Sequence, residues 1–153
     1  MGEEYTLTNR MTLRFLSLAE NVGLARVAVA SLASQTRFSL QDVDEIKVAV
    51  SEAVSNAIIH GYLGKTDGWV QVDCLLDNSG LTVTVEDWGV GIEDVELARQ
   101  PAYSRDPERM GLGFVFMESF MHGLTVESIP GQGTRVEMRR LVTISGELSR
   151  DAQ

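Results

Sequence analysis

The sequence predicts an α+β fold, a two-layer sandwich in which helices cover one face of a mostly antiparallel mixed sheet. Residues 45–62 place apolar side chains at intervals of three and four, the period of a helix with one buried face. Residues 70–85 and 124–138 each hold two runs of alternating apolar and polar residues joined by a turn sequence, the pattern of an antiparallel hairpin. The order strand, helix, helix, hairpin, loop, helix, hairpin therefore gives two layers, with the helices on one face.

One domain is expected over residues 1–140, with a short C-terminal tail at 141–153. The chain has 153 residues, of which 44% are hydrophobic, which suffices for one core. The formal net charge is -9 and the basic residues are scattered, so direct nucleic-acid binding is not expected. The single cysteine, Cys74, gives neither a disulfide framework nor a thiolate metal site. The first ten residues lack an apolar secretory core and no apolar run reaches membrane-spanning length, which predicts a cytoplasmic protein without membrane contact.

The N-terminal part of the chain predicts one strand and one helix. Residues 11–15 alternate apolar and polar side chains, which indicates a half-buried strand. Ser17 and Glu20 have the spacing of a capping box, so a helix is expected from there to about Ser34. Arg26 lies away from the apolar stripe of this helix, where an arginine is solvated by default.

A second capping signal opens the central helix. Ser39 and Asp42 precede the apolar pattern, and glycines at 61 and 64 mark its end because glycine adopts the left-handed conformation at low cost. Glu52 and Asn56 are four residues apart in this helix, so their side chains project from one face, at the border of the buried stripe.

This polar pair permits two interpretations. A hard cation such as Mg²⁺ prefers oxygen ligands and keeps several waters, so the amide oxygen of Asn56 together with substrate phosphates would place it. Glu52, one turn away, would then be available as a base. A solvated helix face explains the same spacing, and the pair alone does not decide between the two.

Asp87 ends the first hairpin on the same face as the apolar side chains of its strand. A carboxylate buried there needs a hydrogen-bond donor, because an unpaired buried charge is costly. The alternative is an aspartate that only starts the Asp-Trp-Gly-Val-Gly turn by bonding its own backbone. The turn by itself leaves both possibilities open.

The last third of the chain combines a polar segment with a glycine-rich helix start. Residues 101–109 contain two prolines among polar and charged residues, which predicts a mobile loop or lid. Gly111 and Gly113 then lead into a helix that runs to about Phe120. Free backbone amides at such a helix start can bind an anion, although helix-entry flexibility is the simpler explanation of a lone Gly-x-Gly.

The order of these features resembles the GHKL or Bergerat fold, the ATP-binding fold of gyrase, histidine kinases and MutL. Five segments are similar to those of the anti-sigma serine kinases of endospore-forming bacteria: SEAVSNAIIHGY, DWGVGI, ARQPAYS, GLGFVFMESFM and PGQGT. The resemblance covers about residues 11–140. It implies that the cofactors are ATP and Mg²⁺.

The resemblance implies a nucleotide-binding role for eight residues. Asp87 would accept a hydrogen bond from the adenine amino group, and Thr134 would support the base through a water. Asn56 would ligate Mg²⁺ between the phosphates. Gly89 and Gly91 would approach the base closely. Gly111 and Gly113 would present backbone amides to the phosphates, and Arg109 would bind the terminal phosphate.

The resemblance also implies an activity and its partners. Glu52 would be the catalytic base that takes the proton from a serine hydroxyl of an anti-anti-sigma protein, which makes the chain a protein serine kinase. With ATP bound, a homodimer would sequester and inhibit a sporulation sigma factor, with Arg26 at the partner contact. The alternative is a nucleotide-gated sigma-factor-binding protein without significant kinase activity. The presence of both Glu52 and Asn56 favours the kinase.

Overall fold

The computed structural model describes residues 8–100 and 112–143 of the chain. Within these ranges the strands are β1 (Asn9–Leu16), β2 (Trp69–Asp77), β3 (Gly80–Asp87), β4 (Gly123–Ile129) and β5 (Gly133–Leu141). The helices are α1 (Asn21–Ala33), α2 (Leu40–Asn56), α3 (Val95–Arg99) and α4 (Leu112–Phe120), and a π-helical turn spans Ala57–Gly61. None of the helices in these two ranges has the length and apolar character needed to cross a bilayer.

The strands form one sheet in the order β1-β2-β3-β5-β4, and each of these pairings is antiparallel. Both predicted hairpins are present, β2 with β3 and β4 with β5. Because β5 pairs with β3, the second hairpin lies directly beside the first. This arrangement confirms the α+β class and brings the ends of β3, β4 and β5 together.

The core lies between one face of the sheet and helices α1, α2 and α4. Both layers contribute side chains with almost no exposed surface, among them Ile46, Val50, Leu76, Leu81, Met117 and Met138. Cys74 lies in this core, and burial raises the pKa of its thiol to about 12. The thiol is therefore protonated at neutral pH and serves as a small apolar residue.

The predicted capping box at Ser17 and Glu20 is wrong. Helix α1 begins at Asn21, and the side chain of Glu20 makes no capping hydrogen bond. The Ser17 hydroxyl is buried, donates to the Lys65 carbonyl oxygen at 2.6 Å and accepts from the Gly68 N–H at 3.1 Å. Since a buried hydroxyl requires partners, these distant backbone groups prevail over the local cap.

The capping box at the start of α2 is confirmed. The Ser39 hydroxyl accepts from the Asp42 N–H at 3.0 Å, and the Asp42 carboxylate accepts from the Ser39 N–H at 2.9 Å. The helix is regular as far as Asn56 and then widens into the π-helical turn, which ends at Gly61. Such turns insert one extra residue into a helix and are frequent at functional sites. Here the inserted turn contacts β3 and β5.

Arg140 of β5 joins two helices to the sheet. Its guanidinium lies 2.7 Å from the carboxylates of both Asp42 and Glu45 in α2, and it donates to the Phe120 carbonyl oxygen at the end of α4. The Arg140 side chain is 11% exposed. This largely buried ion group fixes α4 against α2.

Candidate functional site

Glu52 and Asn56 lie against the first turn of α4. A Cβ placed on Gly113 would be 3.1 Å from both Glu52 Oε2 and Asn56 Nδ2. Any larger residue at position 113 would have to displace one of these polar groups, since 3.1 Å is closer than an ordinary carbon contact. The structure therefore brings together three of the residues that the sequence singled out, although they come from two different helices.

Burial raises the pKa of the Glu52 carboxyl. The carboxyl is half-buried, and removal from water disfavours its charged form. A carboxylate with a raised pKa is a better proton acceptor near neutral pH than an ordinary surface glutamate. In residues 8–100 and 112–143, no cluster of three or more His, Cys, Asp or Glu side chains could hold a metal ion.

The site has two centres. Glu52, Asn56 and Gly113 form the first, and Asp87 at the end of β3 forms the second. It is 5% exposed and its Oδ1 accepts from the Gly89 N–H at 2.9 Å. Burial raises the pKa of the Asp87 carboxyl, while hydrogen bonds from the backbone of Gly89 and Thr134 oppose that rise. The carboxylate is thus both buried and bonded to its own turn, so the two interpretations of Asp87 left open by the sequence are compatible.

The π-helical turn packs against this carboxylate. A Cβ on Gly61 would lie 2.9 Å from the Asp87 carboxyl carbon, and the Gly61 carbonyl oxygen accepts from the Val90 N–H at 2.9 Å. A Cβ on Gly89 would lie 2.0 Å from that same carbonyl oxygen. Glycine at position 89 is therefore required for the helix end and the loop after β3 to approach each other, and glycine at position 61 leaves room for the Asp87 carboxylate.

The loop after β3 also contacts the turn of the second hairpin. Gly91 has a φ of +75°, and a Cβ there would lie 2.4 Å from the Ile129 carbonyl oxygen. The Val90 carbonyl oxygen accepts from the Gly131 N–H at 2.7 Å. The loop is consequently held on both sides, by the π-helical turn and by the hairpin.

Two residues that the sequence did not single out complete these contacts. The Tyr62 hydroxyl donates to the Trp69 carbonyl oxygen at 2.5 Å and accepts from the Trp88 N–H at 2.9 Å, which fixes the peptide immediately after Asp87. Ser128 lies 2.8 Å from Thr134, hydroxyl oxygen to hydroxyl oxygen. The alternation in the second hairpin predicts that these two positions face each other, but the hydroxyl contact requires the exact register.

Arg26 lies at the edge of the site. Its guanidinium donates to the Ser51 hydroxyl at 3.3 Å. A surface groove of about 440 Å³ is lined by Arg26, Asp44, Lys47, Val48, Ser51 and Glu52. Arg26 and Glu52 therefore face one groove. Arg109 and Gly111 lie outside the described residues, as does the segment 101–109 predicted as a lid.

Comparison with known sequences identifies the family. The family model described as the histidine kinase-like ATPase domain matches residues 15–140. The anti-sigma F factor of Clostridium acetobutylicum is 48% identical over 136 residues, which cover 88% of this chain and 94% of that protein. This chain belongs to the anti-sigma F factor family. Within that family, the anti-sigma F factor of Bacillus velezensis is 42% identical over 144 residues, which cover 93% of this chain and 99% of that protein.

Solved structures share the fold at lower sequence identity. The RsbU and RsbW domains of a Mycobacterium tuberculosis protein superpose with a TM-score of 0.62 and 17% identity, covering 89% of this chain and 33% of that chain. A blue-light activated histidine kinase of Erythrobacter litoralis gives a TM-score of 0.54 and 22% identity, covering 85% of this chain and 43% of that chain. At these identities the likeness extends to the fold alone.

Proposed function

We propose that this protein binds and inhibits a sporulation sigma factor and, with Mg²⁺ and ATP, phosphorylates a serine of an anti-anti-sigma partner. The observation that carries the proposal is the contact of Glu52 and Asn56 with Gly113, because it joins a base, an oxygen ligand and a glycine-rich helix start in one place. Curated relatives at 41–48% identity named anti-sigma F factor support the sigma-factor partner.

The residues around Asp87 fit a purine base. Asp87 accepts hydrogen bonds. Gly89 and Gly91 let the loop beside it pack closely on the π-helical turn and on the second hairpin, and in this proposal the loop backbone held in that way closes over a flat ring. Thr134 stands opposite Asp87 in the β3–β5 register. In this proposal Asp87 accepts from the adenine amino group and Thr134 supports the base through a water.

The residues around Gly113 fit a phosphate chain and its cation. Backbone amides at Gly111 and Gly113 would bind phosphate oxygens at the start of α4, and Arg109 would neutralise the terminal phosphate. The amide oxygen of Asn56 would ligate Mg²⁺, which needs only one or two protein ligands when phosphates supply the others. ATP supplies the phosphoryl group, and the cation neutralises the charge that develops during its transfer.

Glu52 is the catalytic base of the proposed reaction. The serine oxygen of the partner forms the new bond to the terminal phosphorus, the bond from that phosphorus to ADP breaks, and the serine proton moves to the Glu52 carboxylate. The raised pKa of Glu52 suits this task. The proton acceptor must be ionised, so the rate should fall as the pH drops through the raised pKa of Glu52.

The groove shared by Arg26 and Glu52 is the proposed partner surface. A segment of the anti-anti-sigma protein that enters it places a serine beside Glu52 while Arg26 contacts the same partner. The Arg26 guanidinium is half-buried and oriented by the Ser51 hydroxyl, which favours a defined contact over a freely solvated charge. Sequestration of the sigma factor is proposed to involve a homodimer, and the protein is proposed to act in the cytoplasm.

The test is phosphotransfer. The protein is incubated with Mg²⁺, ATP and the anti-anti-sigma protein of the same organism, and phosphate on serine is followed by intact mass. Glu52→Gln should keep ATP binding and lower the transfer rate by about 10²- to 10⁴-fold, as expected for loss of a general base. The exposed Glu93→Gln variant is the matched control and should transfer at the wild-type rate.

Two outcomes separate the alternatives. If Glu52→Gln transfers at the wild-type rate, Glu52 is not the base. If the wild-type protein binds ATP and transfers no phosphate, the nucleotide-gated sigma-factor-binding protein is the better description. The effect of ATP against ADP on sigma-factor affinity then becomes the informative measurement.

A further inference from the structure

Three polar side chains form one row across the sheet at the end where the loops meet. Asp87 of β3 stands opposite Thr134 of β5, and Thr134 stands opposite Ser128 of β4. Directly opposed residues of antiparallel strands point to the same face of a sheet. The row continues the apolar inner face of β5, where Val136 and Met138 are buried. All three side chains therefore point toward the helix layer.

The Ser128 hydroxyl has three hydrogen-bond partners. It accepts from the Ile92 N–H at 2.7 Å, lies 3.1 Å from the Gly133 carbonyl oxygen, and lies 2.8 Å from the Thr134 hydroxyl oxygen. A serine hydroxyl has one hydrogen to donate and two lone pairs to accept with. The carbonyl oxygen can only accept, so the Ser128 hydrogen points to Gly133.

This count favours one placement of the Thr134 hydrogen. With its own hydrogen on Gly133 and one lone pair on Ile92, Ser128 has one lone pair left, and it accepts the Thr134 hydrogen. The opposite arrangement would leave the Gly133 carbonyl oxygen without the Ser128 hydrogen and turn the Thr134 hydrogen away from its contact. The Thr134 oxygen consequently shows only lone pairs toward the space beside Asp87.

We propose that Ser128 is a positioning residue for base selection, because it holds Thr134 as a hydrogen-bond acceptor beside the accepting carboxylate of Asp87. Two acceptors side by side match a base that carries an amino group at this edge, with the Thr134 oxygen accepting through the bridging water, and a base that lacks the amino group leaves them without a donor. Adenine has the amino group, whereas unsubstituted purine has only a hydrogen atom at the corresponding ring position and keeps the same ring nitrogen acceptors. The inference rests on the proposed nucleotide function and adds a residue that determines its specificity.

The test compares the binding of ADP and of the 5′-diphosphate of purine riboside, whose bases differ only in the amino group at that position. The diphosphates are used because they carry no terminal phosphate to transfer, and affinities are measured by titration calorimetry. The wild-type protein should bind ADP at least about tenfold more tightly than purine riboside diphosphate, as expected when a site's polar groups are left without their matching donor. In Ser128→Ala the Thr134 hydroxyl is free to turn and donate. The ratio of the two affinities should then fall by about fivefold, the effect of one redirected hydrogen bond.

Two further variants separate positioning from general destabilisation. Thr125→Ala, on an exposed position of the same strand, should keep the wild-type ratio. Thr134→Val should also lower the ratio, and adding Ser128→Ala to it should change the ratio no further, since Ser128 acts through the Thr134 hydroxyl. If Ser128→Ala does not fold, Ser128→Cys makes the same comparison with a side chain of similar size and a much weaker hydrogen-bonding group.

The proposal is overturned if Ser128→Ala keeps the wild-type ratio, or if Ser128→Ala lowers the ratio equally in the Thr134→Val protein. In either case ADP binding by the wild-type protein would leave the nucleotide function standing. Failure of the wild-type protein to bind either diphosphate would instead remove the nucleotide function, and the role of Ser128 with it.

Discussion

Replacing Gly61 by alanine should weaken nucleotide binding through the Asp87 carboxylate. The new Cβ would lie 2.9 Å from the Asp87 carboxyl carbon and Oδ1 and 3.1 Å from Oδ2. Favourable contacts of such atoms begin near 3.4 Å, so the carboxylate must move by about 0.5 Å. Gly61 lies in the π-helical turn and its backbone does not need a positive φ. The effect of the substitution is therefore steric.

This displacement has two expected consequences. The hydrogen bond from the Gly89 N–H to Asp87, now 2.9 Å long, must bend or lengthen. Because a hydrogen bond to a charged group contributes about 1.5–3 kcal/mol, a carboxylate displaced from its bonding geometry should weaken ADP binding by about tenfold. Overpacking should also lower the free energy of unfolding by about 1–3 kcal/mol.

Gly23→Ala is the matched control, because Gly23 is a helical glycine with room for a side chain. Its Cβ would meet the Arg26 guanidinium at 3.5 Å, an ordinary contact, and alanine should stabilise α1 by about 0.5–1 kcal/mol. ADP affinity by calorimetry and thermal unfolding without nucleotide are measured for both variants. The reasoning is refuted if Gly61→Ala, folded at the assay temperature, binds ADP as tightly as the wild-type protein.

Two further predictions concern pH and charge. Burial raises the pKa of Asp87, so the charge of Asp87 costs stability once the pH has risen through that pKa. Asp87→Asn should therefore unfold at an equal or higher temperature at neutral pH while losing about 10- to 100-fold in ADP affinity. A lower unfolding temperature would contradict this expectation. Burial opposes ionisation of Asp42, but hydrogen bonds from Ser39 and Arg140 prevail and lower its pKa. The stability that the charged Asp42 contributes is therefore present above the ordinary aspartate pKa and is lost as the pH falls through the lowered pKa. Arg140→Met removes the cation that Asp42 and Glu45 share. Both carboxylates are partly exposed and Asp42 keeps its hydrogen bond from the Ser39 N–H, so the substitution should cost about 1.5–3 kcal/mol at neutral pH. The stability should also depend less on acid in denaturant titrations between neutral pH and about pH 3, and an unchanged acid dependence would show that Arg140 is not the relevant partner.

Local patterns predicted the elements well where local interactions decide them. The capping box of Ser39 and Asp42 uses only groups three residues apart, and it forms as expected. Ser17 and Glu20 meet the same consensus, yet Ser17 bonds with backbone groups 48 and 51 residues away. Sequence spacing cannot distinguish these cases, because burial of Ser17 depends on how the segment before β2 packs against the end of β1.

The candidate site was predictable as a set of residues and not as an arrangement. The four-residue spacing of Glu52 and Asn56 follows from helix geometry alone. Their contact with Gly113 depends on the packing of α4 against α2, and the row from Asp87 to Ser128 depends on the non-local pairing of β3 with β5. Neither the packing nor the pairing leaves a local signal in the chain.

The π-helical turn links the two centres of the site. Glu52 precedes Gly61 by nine residues, so the α-helical rise of 1.5 Å per residue sets an upper limit of about 14 Å on their separation along the axis. That span is comparable to the distance from the base to the terminal phosphate of an extended nucleoside triphosphate. One continuous element thus carries the proposed base for the chemistry at one end and packs against Asp87 at the other. Substitution of Gly61 should therefore alter both ADP affinity and the transfer rate governed by Glu52, whereas substitution of Ser128 should alter only the choice of base.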